Sequence, residues 1–309
     1  MKTFLITLLI LLSSAFTYAD SVKVNFTYNN QAYHVVGKEV LGGYRFNEGA
    51  KKTVNLSTLN WAPYVGENIC NKGWIFQVTI ALLVSQGYEV NVSFRPWKRS
   101  VMEVEKGITD ILFPEYFIEE NASSDIYENS KRLSHLALSH PIPGGPIVFM
   151  KRTSDDKDRY NGDLLSLKNE KIGVVRGYQN TPEFDKLMDE QFFDIIESSD
   201  DLLNVKMLVA GRVNLIIGDP TVIQYTVKTS KMTRSQKKNT LNQFQVVHPI
   251  IKNKPLYFAI SRKSEHWQQI LKDINTAIDS FTKTGELSNI IKQTKQLCGF
   301  DQGFLVDHY

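Results

Sequence analysis

The sequence lacks the motifs that most enzymes and nucleic-acid-binding proteins carry. It has no G-x-S-x-G, Walker A or G-x-G-x-x-G motif, which argues against a serine hydrolase, a P-loop NTPase and a dinucleotide-binding enzyme. Its six histidines form no H-x-H or H-E-x-x-H pattern, and its two cysteines lack the clustered spacing of a zinc site. The net charge of the 309 residues is only +3, whereas nucleic-acid-binding surfaces are strongly basic. We expect no catalysis, no metal, no cofactor and no nucleic-acid partner.

Apolar runs long enough to cross a membrane, about 20 residues, are also missing. Residues 1–19 instead have the pattern of a secretory signal peptide: a positive charge at Lys2, a short apolar run over 4–12, and a small residue, Ala19, before the expected cut. No cysteine lies near that cut, which argues against a bacterial lipid anchor. We expect export to the periplasm of a Gram-negative-type cell.

One layout of helix, glycine, strand and acid occurs twice in the sequence. Its first copy, 94–116, has an apolar helical stripe, a glycine where the helix should end, and an apolar strand. The second copy, 199–220, repeats this order. Glu115 and Asp219 each lie eight residues after the glycine of their own copy. The repetition predicts two equivalent halves that face each other.

Strand and helix patterns alternate after residue 52, which indicates α/β lobes built on parallel sheets with helices on both faces. The chain is longer than one hydrophobic core usually supports, so we expect two lobes. Ligands bind outside the carboxyl ends of such strands, which here meet in the cleft between the lobes. The predicted organisation is a signal peptide (1–19), an N-terminal extension packed on the first lobe (20–52), a first lobe (53–146 and 255–309) and a second lobe (147–254).

Cys70 and Cys298 are the only cysteines. In an oxidising compartment an even pair favours a disulfide, although two buried free thiols would also fit the sequence. A bridge would tie the C-terminal tail to the first lobe.

Six short motifs have an order and spacing that are specific when taken together. They are an aromatic-x-Pro-Tyr turn (61–64), R-P-W-K-R (95–99), G-x-x-D-I (107–111), K-R…S-H-P (131–141), K-I-G-V-V-R-G-Y (171–178) and A-G-R-V-N…G-D (210–219). This order, over about residues 53–296, resembles the type II periplasmic solute-binding proteins. More narrowly, it resembles the family 3 branch, whose best-known members bind polar amino acids for ABC importers. The resemblance implies a monomeric, two-lobed venus-flytrap fold in which two crossover strands join the lobes.

The resemblance also implies where the ligand binds. In that family an arginine of the first lobe binds the ligand carboxylate and an acid of the second lobe binds its ammonium group; Arg132 and Asp219 match these positions. A guanidinium fork suits a carboxylate, and backbone amides at 178–180 precede a helix and could add to carboxylate binding. Trp61, Tyr64, Trp97 and Tyr116 are candidates for the apolar wall of the site. Glu115 is a second candidate acid, and the turn before the helix adds Tyr178, Gln179 and Asn180.

The segment 117–131 departs from the family pattern, in which a short turn precedes the arginine. It either covers the mouth of the cleft or shifts the register, so that Lys131 binds the ligand in place of Arg132. Arg132 could also be a plain surface arginine. Asp219 could be a helix N-cap ahead of Pro220, a role compatible with ligand binding.

The sequence therefore favours a periplasmic binding protein for a small polar ligand, with an amino acid as the leading candidate. It would close on the ligand and deliver it to an inner-membrane ABC permease. The alternative is a sensing protein that presents its closed form to a membrane-bound signalling partner, with 117–131 as a possible docking surface.

Overall fold

The computed structural model describes residues 21–124, 126–176 and 178–299, so the predicted signal peptide lies outside the described residues. Strands and helices alternate as the sequence pattern predicts. The elements up to the first crossover strand are β1 (Lys23–Tyr28), β2 (Gln31–Val36), β3 (Lys38–Val40), β4 (Gly43–Phe46), β5 (Lys52–Thr58), α1 (Trp74–Ser85), β6 (Tyr88–Phe94), α2 (Trp97–Glu105), β7 (Ile111–Glu115), β8 (Leu136–Leu138) and β9 (Ile142–Arg152). Those that follow are β10 (Lys171–Val175), α3 (Pro182–Asp189), β11 (Asp194–Ser198), α4 (Asp201–Val209), β12 (Leu215–Gly218), α5 (Pro220–Thr229), α6 (Arg234–Leu241), β13 (Phe244–Ser261), α7 (Trp267–Thr284) and α8 (Glu286–Leu297).

The strands confirm a two-lobed α/β fold with a parallel centre in each lobe. In the first lobe β5 pairs in parallel with β6 and β7, and in the second β10 pairs in parallel with β11 and β12. The long strands β9 and β13 run antiparallel between these groups. They join both into one sheet of order β11-β10-β12-β9-β13-β7-β5-β6-β4-β3. The lobes are therefore parts of one continuous sheet.

Each lobe has its own hydrophobic core. The first core combines strands from the start of the chain with α7 and α8 from its end; the Phe26 and Phe281 rings, for example, lie 5.9 Å apart. Every residue of α1 from Trp74 to Val84 is buried, as expected of a helix that is apolar on all sides. The second core is made only of residues between Ile147 and Ile251.

The two copies of the repeated layout fold alike. Gly107 and Gly211 end α2 and α4 with φ angles of 76° and 72°, a left-handed conformation that glycine adopts without steric cost. In both copies the amide after the glycine donates to a carbonyl four residues before the glycine, at 2.8 Å and 2.9 Å. These are matching Schellman turns. Each turn leads into the following strand, β7 or β12, in the same way, so Glu115 and Asp219 lie at equivalent strand ends.

The segment before β5 forms two hairpins on the first lobe. β1 pairs with β2, and the apolar side of β1 lies in the first core. β3 pairs with β4, which extends the main sheet beside β6. Among the described residues, no helix has the length and apolar character that crossing a bilayer requires.

The disulfide between Cys70 and Cys298 is confirmed. Their Cα atoms lie 5.6 Å apart across a sequence separation of 228 residues. The bridge joins the end of α8 to the turn before α1, and these two helices also pack against each other.

Replacing both cysteines with serine should lower the free energy of unfolding by up to about 5 kcal/mol, because the bridge restricts a very long loop in the unfolded chain. Guanidinium unfolding measures the change. A reductant should lower the midpoint of the parent protein and leave the double variant unaffected. An identical midpoint for parent and variant would contradict the structural role of the bridge.

Candidate ligand-binding site

A cavity of about 280 Å³ lies between the two lobes. The carboxyl ends of β5, β7, β10 and β12 lead into it, as expected for an open α/β sheet. Nine of the ten predicted binding residues line it: Trp61, Trp97, Glu115, Tyr116, Arg132, Tyr178, Gln179, Asn180 and Asp219. The tenth, Tyr64, is buried behind the wall, with its ring stacked on Trp61 at 4.3 Å between centroids.

Arg132 is held by two buried carboxylates. Its Nε lies 3.2 Å from Glu105 Oε1 and its Nη2 lies 3.1 Å from Glu115 Oε2. The three side chains are only 7%, 0% and 4% exposed, respectively. Arg132 is thus a buried residue at the cavity and not a surface arginine. The alternative residue, Lys131, is exposed and lies outside the cavity lining.

This pairing changes what Arg132 can do. The resemblance implies an arginine presented to the ligand carboxylate, yet two protein carboxylates already share this guanidinium. With both acids ionised, the group carries a net negative charge. Burial raises the pKa of Glu115, and the nearby Arg132 guanidinium opposes that rise. The sequence could not reveal the pairing, because Glu105 lies at the end of α2 and had no visible link to the site.

Asp219 is both a helix N-cap and a cavity residue. Its Oδ1 accepts hydrogen bonds from the amides of Thr221 (2.7 Å) and Val222 (3.3 Å) at the start of α5. Its Oδ2 accepts a hydrogen bond of 2.5 Å from the hydroxyl of Tyr64 in the first lobe. Burial raises the pKa of Asp219, while the Tyr64 hydrogen bond opposes the rise. The Tyr64–Asp219 contact therefore links the lobes directly beside the cavity.

Asp201 is a cavity acid that sequence reasoning missed. It lies in the first turn of α4, directly after the N-cap residue Asp200. The Tyr178 hydroxyl donates to its Oδ2 at 3.3 Å, and burial raises its pKa to about 6. Asp201 follows the carboxyl end of β11, the neighbour of β10 in the sheet. Strand order would have pointed to it, but the sequence alone does not give that order.

The amides of the β10–α3 turn are not all free for a ligand carboxylate, contrary to what their place before a helix suggested. The Tyr178 amide donates to Val175 O at 3.1 Å. The Asn180 amide donates to Asp185 Oδ2 at 3.0 Å. Gly177 lies outside the described residues.

Aromatic rings form much of the cavity wall. Trp61 and Tyr116 meet edge to face at 5.8 Å, and Trp97 adds a second indole. The ammonium group of Lys254, on β13, lies 3.5 Å from the centre of the Tyr116 ring and donates to Gln179 O at 3.0 Å. Burial lowers the pKa of Lys254 to about 8. Sequence reasoning also missed Lys254, whose crossover strand gave no sign of reaching the site.

Residues 117–124 and 126–131 fold against the buried ion group. Ala122 and Ser123 line the cavity, and the Ser124 hydroxyl donates to Glu105 Oε2 at 2.5 Å. The Arg132 amide donates to Ala122 O at 2.9 Å. The segment is therefore part of the cavity wall and of the shell around Arg132.

No protein-family model matches the chain, and no curated protein matches its sequence. Solved structures share its fold at low sequence identity. The ligand-binding core of GluR0 in complex with L-glutamate has 16% identity and a TM-score of 0.61, covering 79% of this chain and 99% of that one. An ancestral arginine-binding protein bound to arginine has 18% identity and a TM-score of 0.59, covering 79% and 98%. A histidine kinase sensor domain with similarity to periplasmic binding proteins has 15% identity and a TM-score of 0.59, covering 78% and 95%. These matches confirm the periplasmic-binding-protein-like fold that the sequence motifs implied.

We expect Arg132→Met to lower the free energy of unfolding at pH 7 by about 3–5 kcal/mol, because it leaves two buried carboxylates without their cation. Chemical denaturation measures the loss. Arg176→Met is the matched control: Arg176 is 74% exposed and pairs with Glu197 at the surface, so its loss should cost no more than about 1 kcal/mol.

Adding Glu105→Gln and Glu115→Gln to Arg132→Met should restore much of the lost stability. If Arg132→Met costs no more than Arg176→Met, the buried ion group does not exist as described.

Asp201 should make a contribution to stability that is lost as the pH rises from about 4 through 6. Asp201 binds its proton more tightly in the folded state than in the unfolded chain, so its contribution is present at low pH and disappears above its folded pKa. Asp201→Asn should therefore raise the free energy of unfolding at pH 8 by up to about 3 kcal/mol, with a smaller gain toward pH 4. Urea unfolding at several pH values tests this, and a variant less stable than the parent at pH 8 would contradict it.

Proposed function

We propose that this protein is a non-catalytic solute-binding protein that captures a small polar ligand, with an amino acid as the leading candidate, by closing its two lobes. The observation that carries this proposal is the cavity that both lobes line with charged side chains. Glu115 and Asp219 occupy equivalent strand ends in the two halves and line the same cavity. A ligand bound to both acids would hold the lobes together.

The size of the cavity supports a ligand of amino-acid scale. Pockets for drug-sized molecules span about 300–1,000 Å³, and this one is about 280 Å³. Two contacts already join the lobes around it: the Tyr64–Asp219 hydrogen bond and the packing of Val222, from α5, in the first core. A ligand that binds the closed arrangement more tightly than the open one would increase the fraction of protein molecules that are closed.

The solved structures with this fold support binding rather than catalysis. They include an L-glutamate complex, an arginine complex and a sensor domain. Glutamate and arginine differ in charge, so the fold alone does not select the ligand. The side chains of this particular cavity must do so.

We place the protein in the periplasm, exported by the signal peptide predicted at residues 1–19, with an inner-membrane ABC permease as its partner. The alternative is a membrane-bound signalling partner that recognises the closed form. The likeness to a histidine kinase sensor domain favours this second role. The 117–131 segment offers a surface that joins the outside of the first lobe to the cavity wall.

A thermal-shift screen of the mature protein against amino acids, polyamines and small carboxylates tests the binding function. A ligand at 100 times its Kd should add about 2.7 kcal/mol of stability, or about 4–5 °C in the melting temperature of a chain of this length. Asp219→Asn keeps an acceptor for the α5 amides and removes the charge. It should weaken binding by about 10- to 100-fold, the value of a charge-assisted hydrogen bond.

The control is Glu197→Gln, which removes the same charge from a half-exposed surface pair and should leave affinity unchanged. Unaltered affinity in Asp219→Asn would contradict the site. Uptake of the labelled ligand by cells that lack the protein separates the two roles: lost uptake supports the importer, whereas normal uptake with an altered transcriptional response supports the sensor.

A further inference from the structure

We propose that the ligand is a compact organic cation with two separate positively charged groups, the class of basic amino acids and diamines. This inference rests on the proposed binding function and adds the ligand class to it. It follows from the balance between the carboxylates of the cavity and the protein cations that neutralise them.

The cavity has more carboxylates than cations. Glu115, Asp201 and Asp219 line it, together with Arg132. Arg132 is also bound to Glu105, just behind the wall. The cavity wall and the residue just behind it thus hold four carboxylates and one guanidinium. Lys254 interacts with Glu115 but also with Asp185, a fifth acid, so counting both leaves two cations against five carboxylates.

Several groups that could receive a ligand carboxylate already donate to acceptors of the protein itself. Arg132 donates to two glutamates. The Tyr178 and Asn180 amides donate to Val175 and Asp185, respectively. A ligand that brings more carboxylate than ammonium charge would meet mostly acceptors.

The acids that line the cavity lie on both sides of it, and Glu115 shares its one cation, Arg132, with Glu105. Glu115 comes from the first lobe, whereas Asp201 and Asp219 come from the second. Each still has acceptor capacity: Asp201 accepts one hydrogen bond from Tyr178, and a carboxylate offers about four lone-pair positions. Two acidic sites on opposed walls suit a ligand with a positive charge at each end.

The aromatic wall suits the same ligand. The indoles of Trp61 and Trp97 line the same cavity as these acids, and indole is the side chain that attracts cations best through its π face. Excess buried negative charge is costly unless it is paired. Burial raises the pKa of Glu115, Asp201 and Asp219 alike, and a bound dication would relieve that cost.

Calorimetric titration with L-arginine and L-citrulline tests the inference directly, because the two have nearly the same shape and differ by one positive charge. We expect arginine to bind at least about 100-fold more tightly, since loss of one partner of a buried charge pair usually costs about 2–5 kcal/mol. L-Lysine and 1,4-diaminobutane should bind more tightly than L-glutamine and L-glutamate.

Two variants locate the preference within the cavity. Glu115→Gln and Asp201→Asn should each reduce the arginine-to-citrulline affinity ratio by at least about tenfold, and Glu197→Gln should leave it unchanged. Asp201→Asn guards against failure of Glu115→Gln to fold, because Asp201 lies outside the Arg132 ion group.

The outcomes separate this inference from the binding function. Tighter binding of citrulline, glutamine or glutamate than of arginine would overturn the cationic class and leave the solute-binding function intact. An absence of binding to every compound of the wider screen would overturn both.

Discussion

The sharing of one arginine between two buried glutamates is the constraint on which the site depends. Arg132 connects the end of α2, through Glu105, with the end of β7, through Glu115. Its own amide and the Ser124 hydroxyl attach the 117–131 segment to the same group. Three chain segments therefore meet around one cation. Removing a single partner from a buried ion pair costs far more stability than replacing all of its members by apolar residues. Arg132 and its two glutamates can therefore be substituted only together, and Glu115 stays in the cavity wall as long as they are kept.

The two halves use equivalent positions for different purposes. Glu115 and Asp219 follow matching glycine turns, yet Glu115 is bound by Arg132 while Asp219 caps α5 and accepts from Tyr64. The first acid is thus anchored within its own lobe, and the second is anchored partly by the opposite lobe. A ligand that reaches both acids would connect Glu115, which is held within its own lobe, to Asp219, whose hydrogen bond from Tyr64 exists only when the lobes meet. This asymmetry gives the closed state a stabilising contact of its own beside the ligand.

The sequence predicted the fold and most of the cavity because those features follow local patterns. Strand periodicity, helix-ending glycines and acids after strands placed Glu115 and Asp219, and the paired cysteines predicted the bridge that the structure confirms. The partners of Arg132 were out of reach, since Glu105 is 27 residues away in sequence and looks like an ordinary helix-end acid. Asp201 and Lys254 were missed for a related reason: each reaches the site only through the order of strands in the sheet. The single continuous sheet was also hidden, because pairing between β9 and β13 depends on register and not on composition.

The separation of the first core between the two ends of the chain has a consequence for how the protein is made. Phe26 of β1 packs against Phe281 of α7, whereas the second core draws only on a continuous stretch of the sequence. During vectorial synthesis, the second lobe can assemble as soon as its own residues have emerged. The first lobe cannot complete its core until α7 and α8 have been made. Until then its apolar strands are unburied, and their exposed edges can aggregate. Chaperones would therefore be needed for longer by the first lobe than by the second.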